Sequence, residues 1–76
     1  MLIQLRARYT TQSKRGIIRV SKIVKDTPVE YTLRLFNDGI EIKLNKKTFP
    51  TIAVAISHAS LYGFVTSLWE VEIKSI

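Results

Sequence analysis

Seven basic side chains crowd the first third of this chain: Arg6, Arg8, Lys14, Arg15, Arg19, Lys22 and Lys25, with no Asp or Glu among residues 1–25. Guanidinium and ammonium groups gathered in this way bind anions, so the chemistry on offer is phosphate contact or docking on an acidic surface. Residues 26–76 hold five bases and six acids, so the net charge of +6 and the pI near 10.0 come from the N-terminal third. Arg34 and Lys43 are secondary members of the basic set.

Other chemistry has little to work with. The one histidine, His58, has no carboxylate three or four positions away to orient it. The absence of Cys excludes a thiol nucleophile, a disulfide and a thiolate metal site. No Gly-rich phosphate loop, metal-ligand spacing or cofactor motif is present. Glu70 and Glu72 share a strand face and read as solvated carboxylates. The chain is therefore expected to be non-catalytic, with no cofactor and no metal, and His58 to be an ordinary surface or interface residue.

At 76 residues, 46% hydrophobic and with mean hydropathy +0.10, the chain has the composition of a packed globule. Residues 1–76 read as one domain. A core this small has thin margins, which makes a homodimer the expectation. The N-terminus lacks the charged-then-apolar layout of a signal peptide, so a cytoplasmic location is expected.

The elements that position these residues follow from alternation. Met1 to Tyr9 reads as a strand with Ile3, Leu5 and Ala7 inward and Gln4, Arg6 and Arg8 outward. A polar loop with Lys14 and Arg15 at its tip and Gly16 to turn the chain leads to a second strand, Ile17 to Val24. The slip in its alternation implies a bulge near Ser21–Lys22. Lys25 to Pro28 is a turn, and Val29, Tyr31, Leu33 and Leu35 then point inward.

Asp38-Gly39 between two alternating runs specifies a two-residue type I′ hairpin. That register opposes Leu35 to Ile42 and Leu33 to Leu44. It also sets Arg34 against Lys43, a like-charge pair that Glu30 and Glu41 would compensate diagonally, or that would hold an anion.

From Thr48 to Trp69 the chain carries no Asp, Glu, Lys or Arg. Thr51 as N-cap and Gly63 as stop bound a helix over 51–62, with Ile52, Ala55, Ile56, Ala59 and Tyr62 on its buried stripe. Val54, His58 and Leu61 fall on the other face as a candidate protein interface. The length of 48–69 also admits a membrane span, which Pro50, His58 and Gly63 argue against. After Gly63 a last strand turns Val65, Trp69, Val71 and Ile73 inward.

The order β-β-β-β-α-β implies an α+β fold, an antiparallel sheet with one helix packed on one face. The functional expectation is a nucleic-acid-binding protein, duplex DNA favoured. Its basic hairpin would present Arg6, Arg8, Lys14, Arg15, Arg19 and Lys22, with Arg34 and Lys43 nearby. Duplex is preferred over single strands because Tyr9 is the one aromatic residue in that hairpin. The alternative is a small regulator or inhibitor, of the kind bacteriophages and mobile elements encode. It would dock on a larger protein through its basic face or its charge-free helix.

Overall fold

Alternating apolar and polar residues carry the chain through three long antiparallel strands, β1 (Ile3–Thr10), β2 (Lys14–Val24) and β3 (Thr27–Asn37). The computed structural model describes residues 3–75, with side chains from Arg6 to Ile73. Short strands β4 (Ile40–Glu41) and β5 (Thr48–Phe49) follow. Then come helix α1 (Ile52–Ser60), a 3-10 turn (Thr66–Leu68) and a final strand β6 (Glu70–Ser75). The sheet order is β4-β3-β2-β1-β6, with β5 also on β3. This is the expected α+β architecture, an antiparallel sheet with a helix on one face.

The register explains the core. Ala7 faces Ile18, Ile18 faces Leu33, and Gly16 faces both Tyr9 and Leu35, so these residues share the helix-bearing side. Ala7, Tyr9, Ile18, Leu33 and Leu35 are buried there with Phe49, Ala55, Ala59, Phe64 and Trp69. The expected bulge is present: pairing shifts between Val20 and Lys22 and recovers at Ile23 opposite Pro28. The inward placement of Ile3 and Leu5 concerns side chains outside the described residues.

Gly16 has a different role from the one expected. It does not turn the chain; it lies buried inside β2, beneath the indole of Trp69. A Cβ at this position would overlap Cη2 of Trp69 and come within 3.0 Å of Cζ2. A strand glycine that marks close approach is the physical reading. The indole in turn meets the Tyr9 ring at a tilt, 5.3 Å between centroids, and the Tyr9 ring is 4.9 Å from Phe64.

The Asp38–Gly39 turn forms as expected, with φ of 52° and 79° and Asn37 opposite Ile40. Ile42 still donates its N–H to the Leu35 carbonyl at 2.8 Å. The strand then departs from the register that would pair Leu33 with Leu44. The chain loops out and returns to β3 three residues later, Thr48 opposite Thr32 and Phe49 opposite Tyr31. Leu44 enters the core from this excursion. The expected fourth strand is thus two short pieces along one edge, and Lys43 lies exposed in the loop between them.

Helix α1 starts as its sequence implies. The Thr51 hydroxyl accepts the Val54 N–H at 3.1 Å. At the other end Gly63 takes φ 86°, its N–H bonds the Ser60 carbonyl, and the Phe64 N–H reaches the Ala59 carbonyl at 3.4 Å. These two bonds are the Schellman pattern that glycine permits. The stripe is confirmed: Ala55 and Ala59 are fully buried, with Ile52, Ile56 and Tyr62 packed beside them.

Val54 and Leu61 are exposed, Leu61 at 76%. His58 does not join them. Its ring packs 5.0 Å from Phe49 and 5.7 Å from Tyr62 and is half-buried. Three residues past Ala55, it sits about 60° from that residue around the helix, at the margin of the buried stripe.

The segment 48–69 is divided among a strand, a nine-residue helix and a 3-10 turn. Among the described residues no helix is long and apolar enough to cross a membrane. Val65, expected inward, is exposed, because the chain turns there before β6 begins. The buried residue is Phe64, one position earlier.

Candidate nucleic-acid interface

The side of the sheet opposite the helix is uncovered, and the register brings most of the basic residues onto it. Arg6 faces Arg19 across β1 and β2, Arg8 faces Ile17, and Ile17 faces Arg34 on β3. Arg15 faces Phe36. This placement needs only the two-residue period of a strand: once Ala7, Ile18 and Leu33 turn inward, their neighbours turn out.

Acids from elsewhere in the chain occupy part of this face. Glu72 on β6 lies opposite Arg6 and bonds Nη2 of Arg8 at 2.6 Å, with Arg6 Nη2 at 3.8 Å. Glu72 was expected to be solvated; β6 instead pairs with β1 and delivers it to the two arginines. The Nε of Arg6 is buried with no hydrogen-bond partner among the described residues.

Glu41 holds Arg34 through both carboxylate oxygens, at 2.8 and 3.4 Å. The hydrogen bond to Arg34 lowers the Glu41 carboxyl below its usual range and raises the guanidinium. Ionised Glu41 therefore favours the folded form above the ordinary carboxylate range, and that contribution fades as pH falls below it. The diagonal compensation expected for Arg34 is thus provided by Glu41, while Lys43 is not its partner.

The remaining bases of β2 lie in three settings. Arg15 and Arg19 are exposed on the open face and make no ion pair or side-chain hydrogen bond among the described residues. Lys22 is also exposed; it pairs with Glu30 at the bulge and lines a separate hollow with Val29, Glu30 and Phe49. Lys14 sits on the other side of the sheet. Its ammonium donates to the Gly63 carbonyl at 2.9 Å and stands 5.5 Å from the Phe64 ring. The expected Lys14–Arg15 tip is therefore split, with Lys14 fastened to the end of the helix and Arg15 facing outward.

The aromatic content also differs from the expectation. Tyr9 is in the core, where its hydroxyl oxygen accepts the Val65 N–H at 3.4 Å. The aromatic on the basic face is Phe36, which half-emerges opposite Arg15 with Arg34 over its ring at 5.2 Å. The alternation that turns Leu33 and Leu35 inward and Arg34 outward also assigns Phe36 outward, so the signal was present in the sequence. No family model, curated protein or solved structure matches this chain.

Proposed function

We propose that this chain is a non-catalytic nucleic-acid-binding protein that receives a phosphate backbone on the open face of its sheet. The observation that carries the reading is the pair Arg15 and Arg19. Both lie on the central strand, exposed and without a carboxylate partner among the described residues, and Arg6, Arg8 and Arg34 stand on the neighbouring strands. An unpaired guanidinium gains most from a phosphate, because no internal ion pair has to break first.

Strands β1 and β3 lie about 10 Å apart across β2. A face of that width suits a major groove about 12 Å wide, which supports duplex DNA as the partner. Binding of fluorescent DNA and RNA duplexes across a salt series is the test. With two to four phosphate contacts, log affinity should fall against log salt with a slope of about −2 to −4. Absence of binding at about 50 mM salt, or a slope near zero, would sink the proposal.

A second reading is docking on a protein, including a second copy of this chain. It is favoured by the exposure of Leu61 and Val54 on a helix face that carries no charge. Leu61→Glu should then shift sedimentation toward monomer or abolish partner capture at unchanged stability, since the side chain has little to lose from the fold. An identical sedimentation profile for mutant and parent, at concentrations where the parent self-associates, would reject the helix as that interface.

A further inference from the structure

The open face does not end as a flat surface. At the end of the sheet where the β1–β2 loop and the Asp38–Gly39 turn stand up, it is hollowed into a cavity of about 460 Å³. Ligand sites in proteins commonly fall between about 300 and 1,000 Å³, so this hollow takes a group the size of a nucleotide. Its floor is Phe36 and Ile17, both half-buried, with Arg15 alongside, and its walls are the segment 10–14 and the turn.

Three features give this cavity a chemical character. Phe36 is presented as a platform. Arg34, pinned by Glu41, stands over the ring yet does not line the cavity, so the arginine braces the platform without filling the hollow. The walls carry both donors and acceptors. The side chains of Gln12 and Ser13 make no hydrogen bond among the described residues, and the Asp38 carboxylate adds a further acceptor. Finally, the cavity opens onto the basic face. Arg15 lines it, and Arg19 follows on the same face about 13 Å along β2.

An aromatic floor, mixed polar walls and adjacent unpaired guanidinium groups are the requirements of a stacked base whose backbone continues past the site. A base paired within a duplex exposes its edges but not its ring face, so it cannot lie on Phe36. We infer that the cavity receives an unpaired nucleobase, stacked on Phe36, of a strand whose phosphates run along Arg15 and Arg19. The inference rests on the nucleic-acid reading and narrows it to ligands with an unpaired nucleotide beside the backbone contacts. Because the walls offer both donors and acceptors, the site is tolerant of base identity.

The test compares one blunt DNA duplex with the same duplex carrying a five-nucleotide single-stranded overhang, measured at one salt concentration. The overhang should raise affinity about 5- to 150-fold, the worth of one stacked base. Phe36→Ala should erase that gain while leaving blunt-duplex binding and the salt slope unchanged. Phe36→Leu, which keeps the apolar bulk over Ile17 and loses the ring, should do the same if Phe36→Ala proves unstable, and Phe36→Trp should retain the gain.

An overhang that adds nothing, or a gain that survives in Phe36→Leu, overturns the inference and leaves phosphate binding intact. Failure to bind either duplex removes the nucleic-acid reading and this one with it. Free nucleoside monophosphate should displace the overhang ligand only at far higher concentration. Displacement at equal concentration would assign the cavity to free nucleotides and overturn the strand assignment.

Discussion

Gly16→Val is expected to destabilise the protein by about 3 kcal/mol, the upper end of the range for overpacking a filled core. The cause is local and rigid. The new Cβ overlaps the distal edge of the Trp69 indole, which is a fused ring with no flexible end to swing aside. The indole must move, and it packs against Tyr9 at 5.3 Å and neighbours Phe64, so the whole aromatic cluster has to reorganise. For a domain of this size the loss corresponds to a fall in Tm of about 12–24 °C. Urea titration followed by Trp69 fluorescence measures it directly. A midpoint equal to the parent's would mean that the indole does not rest on Gly16. In the double variant Gly16→Val with Trp69→Leu, followed by circular dichroism because Trp69 is the one tryptophan, the loss should be smaller than the sum of the two single losses, since the clash partner is gone.

Reversing the charge of both Arg15 and Arg19 should produce the largest functional change. Each lost phosphate contact removes about 0.9 from the salt slope on duplex DNA and about 0.7 on a single strand. If the ionic contribution vanishes near 1 M salt, two lost contacts lower affinity at about 50 mM by about 70- to 200-fold, before any repulsion from the introduced carboxylates. Stability should hardly change, since both side chains are exposed and neither takes part in an ion pair among the described residues.

The same reversal at Arg8 or Arg34 is a poorer probe, because it also frees Glu72 or Glu41 from its partner. Lys14 is poorer still, since it serves the end of the helix. Unaltered affinity in the Arg15 and Arg19 pair would move the phosphate path off this face.

Much of the fold was legible from local rules. The two-residue period assigned the faces of β1, β2 and β3, and it did so because one face of each strand has to be buried. Asp38-Gly39 specified its own turn, since it supplies two residues at positive φ where few pairs can. Thr51 and Gly63 bounded the helix for reasons equally local, a hydroxyl for an orphan N–H and a left-handed stop. The bulge at Ser21–Lys22 was visible as a change of parity within the strand.

What local rules missed depends on distance in sequence. Gly16 looks like a turn glycine until Trp69, more than fifty positions away, is laid across it. The excursion before β5 was invisible because the hairpin pattern runs on through Leu44. The core instead takes in Leu44 from the excursion and Phe49 from β5.

The same division holds for the candidate site. The sequence by itself determined that this chain carries its excess positive charge in its first third, because charge and residue type need no neighbours to be read. Only the tertiary structure decided which of those charges are free. Strand pairing brings Glu72 to Arg6 and Arg8 and Glu41 to Arg34, the helix end takes Lys14, and Arg15 is left beside the Phe36 cavity with Arg19 further along β2. Electrostatic availability is a property of pairs, and most of these pairs are set by the order of strands in the sheet.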